Sequence, residues 1–488
     1  MTDDTRKWWA LAAVGSGVLM STIDGSIVNI ALRSLVNAFN SDLGVVEWVI
    51  LSYLLSITCL LLMMGRLGDM MGKRRIYIAG FAIFTLASAL CGFAPTIGAL
   101  IGFRVLQGVG AAMLQALGPG LLVLAFPAKE RGMALGFIGS TVAMGILIGP
   151  AMGGFLLNTI GWEAIFFVNI PIGLFGIWVS LRSLPHDNIQ TERQKFDIPG
   201  ALLLLFGLLC FLLGLTEGSR LGWDDPRILG LFVSAFIGGA LFIWQELRAP
   251  QPMLNLTIFR KAAFSLNLLA VFVLFCALSF NLLLTPLLLQ LVYLLDLQTT
   301  GLVLISLPLT LSMAAPISGW LSDRIGARLL TMMGLAVVTA GFLGMSAVRT
   351  DTPLLVVIGL LLLLGCGVGL FQSPNNSVVL SNAPVEALGV AGGVLAVMRN
   401  LGQTVGIAVT GAIWASQVTA IAGERFEPIT SAPVDAIAGG FDRAMLVAAS
   451  IALLAIIPSF MGGRASANEL PAEAPIRSRA ETTGKTSG

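Results

Sequence analysis

Hydrophobic residues run along this chain in long blocks, and polar residues are confined to the breaks between them. Read between charged or Pro/Gly breaks, the pattern gives fourteen apolar segments. They fall at about 8–31, 44–64, 76–94, 97–125, 132–157, 163–182, 198–217, 227–247, 264–290, 299–320, 329–347, 353–381, 386–415 and 441–461. Each approaches or exceeds the roughly 20 residues that a helix needs to cross the hydrocarbon core, so each is predicted as a membrane-spanning helix. The runs at 97–125 and 353–381 are long enough to tilt or kink and carry Pro119 and Pro374. The first block lacks a small-residue cleavage site and is expected to remain as the first span.

Composition narrows the picture. The 488 residues are 56% hydrophobic and 11% charged, against roughly 25% charged in soluble proteins. Mean hydropathy is +0.91. A cytosolic enzyme, a secreted domain and a disordered protein are all excluded by this shortage of polar surface. The net charge of +2 lacks the basic footprint of a nucleic-acid binder. Five cysteines without paired spacing read as small core residues, and one histidine, His186, cannot form a metal cluster. No cofactor is expected. The absence of a phosphate-binding G-x-x-x-x-G-K-[ST] loop removes ATP as direct energy source. A membrane enzyme needs a nucleophile, metal cluster or His/Asp pair, for which the chain has poor material.

Lysine and arginine set the expected orientation. With the N-terminus in the cytoplasm, inner segments carry 20 of the 28 basic residues and outer segments carry six: Arg33, Arg220, Arg227, Arg349, Arg425 and Arg443. Arg104 and Arg399 fall inside spans. Both termini are therefore expected on the cytoplasmic side. The polar stretch at 463–488 reads as a disordered tail, and 416–440 as the longest outer loop, with space for a short hairpin or helix.

Two inner loops share the pattern G-x-L-x-D-x-x-G-x-[KR]. One runs from Gly65 through Asp69 and Gly72 to Arg74, the other from Gly319 through Asp323 and Gly326 to Arg328, 254 residues apart. A six-span unit repeated in each half, with two spans inserted between, explains the spacing. The expected divisions are 1–184, a two-helix insertion at 185–263, 264–462 and the tail. These loops resemble the signature of the major facilitator superfamily. Four more segments resemble its fourteen-span drug:proton antiporters: Asp24 to Leu32 (DGSIVNIAL), Arg104 to Ala112 (RVLQGVGAA), Gly145 to Gly154 (GILIGPAMGG), and Trp162 with Phe166 to Gly173 (FFVNIPIG). Departures lie near the outer surface, where Arg33 stands for a usual proline, Glu163-Ala164 for Arg-Trp and Glu47 for glutamine. The resemblance implies an all-α polytopic fold of two six-helix bundles plus two inserted helices, acting as a monomer in a bacterial inner membrane.

Candidate chemistry centres on charges within spans. Asp24 is a carboxylate in an apolar helix, and such residues mark proton or substrate paths. The structural alternative is a hydrogen bond to Asn29 or Ser26. Arg104 demands a carboxylate or carbonyl partner and either tunes Asp24 or acts as a strut. Gln107 lies one turn along the same face and is expected to line a cavity. Gly145, Gly149, Gly153 and Gly154 are expected on one face for close helix approach, with Pro150 able to bend the helix. Asp69 and Asp323, beside basic residues at helix ends, are expected to hold one access state through charge–dipole and ion-pair contacts, or to serve as topology anchors.

In the second half the polar in-span residues are mostly neutral. They are Asn267, Asn281, Gln290, Asn375, Asn376 and Gln403, with Arg399; of these Asn281, Gln290, Asn375, Asn376 and Arg399, together with Asn29 and Gln107 of the first half, are the cavity candidates, and Phe280 and Phe371 line the same space or simply pack. Glu217 and Asp296 stand near outer ends. With Asp24 as the single deep acid, the reading favours neutral, amphipathic or monocationic substrates. The resulting expectation is an antiporter that exchanges protons for hydrophobic or amphipathic compounds. An exporter of lipids or of an endogenous metabolite is the alternative, and an uptake symporter or a non-transporting receptor fits less well.

Overall fold

In lipid every backbone N–H and C=O must find its partner within the segment, which leaves a helix as the form for a lone apolar run. The computed structural model describes residues 3–187, 196–424, 426 and 429–468, and among these it is helical with no strand. Fourteen helices are long and apolar enough to span a membrane. The helices that form these spans are α1 (Asp3–Phe39), α2 (Trp48–Met71), α3 (Lys73–Gly92), α4 (Ile97–Ala125), α5 (Arg131–Thr159), α6 (Asn169–Ser183, preceded by the short helix Ala164–Phe167) and α7 (Ile198–Leu221). Then follow α8 (Pro226–Arg248), α9 (Ala262–Leu287), α10 (Ser306–Ile325), α11 (Ala327–Met345), α12 (Leu354–Ser381), α13 (Leu388–Ala422) and α14 (Val434–Leu454). A π-helical turn, Leu288–Val292, prolongs α9, and a helix Ile456–Asn468 prolongs α14.

Every expected span has its helix, with two differences at the edges. The loop expected at 416–440 shrinks, because α13 runs on to Ala422 and α14 begins at Val434, with a short 3-10 turn Ile429–Ser431 between them. The expected tail begins as helix through Asn468; its remainder, 469–488, lies outside the described residues, as do Arg193, Lys195 and Arg425.

Helices α1–α6 pack into one bundle and α9–α14 into another, while α7 and α8 pair with each other. That inserted pair touches the bundles through α7, where Leu212 joins Leu55 and Cys59 of α2 and Leu401 of α13 in an apolar cluster. Two seams join the bundles, α2 against α13 and α5 against α10. Small residues allow the approach. A Cβ on Gly132 would stand 2.6 Å from the Gly319 carbonyl oxygen, and one on Gly393 would stand 2.8 Å from that of Leu61. Gly65 and Gly389 meet backbone to backbone in the same way.

Each seam is fastened by a carboxylate from the repeated loop motif. Asp69, at the end of α2, accepts from the N–H groups of Gly389 (2.9 Å) and Val390 (2.8 Å) at the start of α13. Asp323, at the end of α10, accepts from those of Gly132 (3.0 Å) and Met133 (3.1 Å) at the start of α5. Each half thus caps a helix of the other, satisfying orphan donors at the positive end of the helix dipole. Lys73 adds an ion pair to Asp69 at 2.7 Å and reaches the Val385 carbonyl across the seam. Ser373 donates to the Gly132 oxygen (2.8 Å) and Ser140 to that of Ser312.

The close approaches change partner along each seam helix. On α5, Gly132 and Gly136 meet α10, whereas Gly145 and Gly153 meet Thr22 and Ile27 of α1 in their own bundle. On α13, Gly389, Gly392 and Gly393 meet α2 and α4, whereas Gly402 and Gly406 meet α9. The bundles are zipped at the loop-motif end, and these contacts turn inward to their own bundles beyond it.

The caps tie the two bundles together at that end. Replacing Asp69 or Asp323 with Ala is expected to weaken closure by about 0.5–2 kcal/mol each, and the double replacement by about the sum. Spin labels at the exposed positions Met71 and Val385 should then report longer and broader distances. An unchanged narrow distribution in the double variant would show that the caps do not maintain closure.

Candidate functional site

The sequence places one acid deep in α1 and one base deep in α4, and the fold brings them together. Arg104 Nη1 stands 2.5 Å from Asp24 Oδ2, and both side chains are fully buried. The other carboxylate oxygen accepts from Gln107 Nε2 (2.8 Å) and Asn169 Nδ2 (2.9 Å). Arg104 also donates from Nε to the Val49 carbonyl (2.8 Å) and from Nη1 to Gln107 Oε1 (2.6 Å). Gln107 Nε2 further contacts Ser88 Oγ at 2.7 Å. The guanidinium lies 4.0 Å from the centre of the Tyr53 ring, a cation–π contact, and the Tyr53 hydroxyl donates to the Ser21 carbonyl.

This cluster draws on α1, α2, α3, α4 and α6, so it sits inside the first bundle and not in the space between bundles. Its polar atoms satisfy one another because a charge at membrane depth is otherwise costly. Two are left over: Arg104 Nη2 and Asn169 Oδ1 are buried without a hydrogen-bond partner. Packing of α5 against α1 fixes the position of Asp24. A Cβ on Gly145 would come 2.7 Å from Thr22, one on Gly153 would come 2.7 Å from Ile27, and Gly149 faces Ser26 at still closer range.

Several expectations need correction. Asp24 bonds neither Asn29 nor Ser26: Asn29 is exposed, with its amide toward the Gly25 carbonyl, and Ser26 donates to Ile23 and Gly145. Gln107 lines no cavity; it is buried as a member of the ion-pair network. Gly154 departs from the glycine face, with nothing near it, since one residue on from Gly153 points about 100° away. Pro150, inside α5, is exposed. Asn281 is buried and accepts from Thr285 within its own helix. Asn375 is buried with its amide toward the Asn267 carbonyl, and Phe280 and Phe371 are fully buried packing residues. Gln290 is exposed on the π-helical turn, whereas Asn376 and Arg399 are half-buried.

The loop motifs hold further roles beyond the two caps. Gly72 and Gly326 adopt positive φ (107° and 89°) where one helix stops and the next begins, a conformation that favours glycine. Asp187 accepts from the N–H groups of Arg74 and Arg75 and so caps α3, while the Arg74 side chain reaches the Leu181 carbonyl. Arg328 stacks on Phe460.

Ser88 and Tyr53 escaped sequence reasoning, since a serine or tyrosine in an apolar run carries no positional signal. Asn169 stood in a quoted segment without a role; an amide in a span is the signal that marks it. Asp442 was also missed. It lies on α14 with a buried, unpartnered Oδ1 and the charge of Arg349 nearby.

The central pair gives a stability test. Arg104→Leu leaves Asp24 as an unpaired buried charge and is expected to cost about 3–5 kcal/mol. The double variant Asp24→Leu/Arg104→Leu removes both charges and should lose less than the single one. Thermal unfolding of the purified variants in detergent checks the order, and a double variant worse than Arg104→Leu contradicts the pairing argument.

Comparison with known proteins agrees with this architecture. The family model of the Major Facilitator Superfamily matches residues 14–407. The riboflavin transporter RibZ of Clostridioides difficile is 34% identical over 453 residues, 93% of this chain and 96% of that one. Multidrug resistance protein Stp of Mycobacterium tuberculosis is 33% identical over 87% of this chain and 79% of its own. The tetracenomycin C resistance and export protein of Streptomyces glaucescens is 33% identical over 85% of this chain and 77% of its own. Among solved structures, the proton:xylose symporter XylE superimposes with a TM-score of 0.66 at 15% identity, covering 93% of this chain and 95% of that one. A multi-pass membrane chain of two fastened six-helix bundles, matched by this model over most of its length, belongs to the Major Facilitator Superfamily and is a transporter.

Proposed function

We propose that this transporter is a proton-coupled antiporter that exports hydrophobic or amphipathic compounds by alternating access. The buried Asp24–Arg104 pair carries the reading. A proton placed on Asp24 removes the negative charge that Arg104, Gln107 and Asn169 hold, and so loosens one node that joins five helices. Loss of that node changes how α1 and α4 pack, which is the kind of discrete local change that can bias a two-state rearrangement. The seams supply the other part, since the reciprocal caps fasten one access state and must release for the opposite one.

The excess of basic residues in the segments at the loop-motif end supports a cytoplasmic placement of that end and of both termini. In the membrane of a bacterium, the closed end then faces the cytoplasm, and exported compounds leave from the opposite side. Lipids surround the molecule, which acts as a monomer. The names of Stp and the tetracenomycin exporter favour drug-like cargo, whereas that of RibZ favours a second reading, transport of an endogenous metabolite.

Proteoliposomes loaded with a pH-sensitive dye provide the test. A panel of amphipathic compounds is expected to trigger proton flux in wild type, and Asp24→Asn is expected to reduce it at least about tenfold, in the range that loss of an essential proton-transfer group gives. Undiminished flux in Asp24→Asn removes Asp24 from the proton path. Compound movement in wild type without any proton flux removes the coupling itself.

A further inference from the structure

Arg399 is a cation at membrane depth for which the structure provides no matching charge. It lies 11 residues into α13, about 17 Å from the loop-motif end at roughly 1.5 Å per residue, and so near mid-membrane. Its recorded hydrogen bond runs from Nη2 to Gln115 Oε1 of α4, across the seam, at 3.5 Å, the outer limit of such a contact. Among the described residues no carboxylate forms an ion pair with it. By contrast Arg104, on the same helix as Gln115, has a carboxylate, an amide, a carbonyl and a ring.

The surroundings of Arg399 place it at the boundary between the bundles, where α13 changes its packing partner. Below it, Gly389, Gly392 and Gly393 press against α2 and α4; beside it, Asn400 Nδ2 donates to Thr58 Oγ1 across the seam at 3.1 Å. Above it, Gly402 and Gly406 turn α13 toward α9 of its own bundle. The backbone-close approaches of α13 to the other bundle therefore end below Arg399, while Leu401 still packs with Leu55 and Cys59 of α2. The side chain is half-buried and none of its nitrogens is sealed without a partner, unlike Arg104 Nη2.

Asp24 does not balance this charge. It is fully buried, neutralised by Arg104 and taken up by two amides. Counted along α1 and α4, the pair also stands about 15 Å further from the loop-motif end than Arg399. The deep acid that left monocationic cargo among the expected substrates is thus sealed within the first bundle, and the charge without an ion-pair partner at the boundary between bundles is positive.

We propose that Arg399, with the amides of Gln115 and Asn400 beside it, is the docking point for the acidic group of an amphipathic organic anion, such as a carboxylate attached to an apolar body. A planar guanidinium presents a donor fork that fits a carboxylate bidentately, and an incoming anion supplies the partner that a lone cation at this depth lacks. This inference rests on the space between bundles being the substrate path of the proposed antiporter and names the class of substrate that path takes.

Equilibrium binding to the full chain in lipid nanodiscs tests it, with fluorescein as anionic probe, fluorescein methyl ester as the same body without its carboxylate, and ethidium as cation. Wild type is expected to bind fluorescein about tenfold or more tighter than the ester, as a charge-assisted contact gives. Arg399→Gln should abolish that preference while leaving ester binding unchanged, which also reports that the variant is folded. Arg399→Lys should keep part of the preference. Fluorescein preference that survives Arg399→Gln, or tight ethidium binding with fluorescein excluded, overturns the proposal. Proton flux in the proteoliposome assay separates the two readings. Flux driven by ethidium and unaffected by Arg399→Gln upholds antiport and defeats the anion site. Arg399-dependent fluorescein binding without flux upholds the anion site and defeats the coupling.

Discussion

Two carboxylates capping helices of the opposite bundle hold this molecule in the arrangement seen here. The N-terminal turn of a long helix carries unpaired N–H groups and a partial positive charge, and at the starts of α5 and α13 those groups are met by Asp323 and Asp69. Because the donor helix and the capping residue belong to different bundles, a local need of one helix end becomes a tether between rigid bodies. The small residues that follow along each seam extend the tether by admitting backbone to backbone contact. Further along, the same two helices direct their small residues into their own bundles. Close approach between the bundles at one end, and within each bundle beyond it, is thus written in which way successive glycines face.

The Asp24–Arg104 pair plays a complementary part within one bundle. A buried ion pair is weak evidence of stability, since desolvation offsets much of its attraction. It is strong evidence of constraint, because the alternatives to satisfying it are costly. Arg104 touches α1, α2 and the turn before α6 as well as its own helix. Whatever alters the charge of Asp24 is therefore felt by all of them.

Much of the fold was legible in the sequence for a plain reason: hydrocarbon forces each span to show itself as an apolar block. The repeat of Gly65 to Arg74 at Gly319 to Arg328 likewise gave away the two halves. Contacts that join distant segments were not legible. Nothing near Asp69 says that its partners lie at Gly389 and Val390, 320 residues on. Asp24 and Arg104 could be singled out as charges in apolar runs, yet their burial, and the roles of Ser88 and Asn169, depend on how five helices meet. The cavity candidates suffered most, because a polar side chain in a span looks the same whether it bonds its own helix, as Asn281 does, or faces open space. Continuation of α13 through Ala422 was hidden by the polar residues that helices tolerate at their ends.

The inserted pair α7–α8 makes the two seams unequal. Sharing Leu212 with Leu55, Cys59 and Leu401, it stands as a sleeve along the boundary between α2 and α13, and no such cover stands over the boundary between α5 and α10 among the described residues. A molecule dissolved in the bilayer therefore meets two different walls. On one flank it must first displace a pair of helices, and on the other it reaches the boundary of the bundles directly. The insertion converts a nearly two-fold body into one with a front and a back toward the lipid.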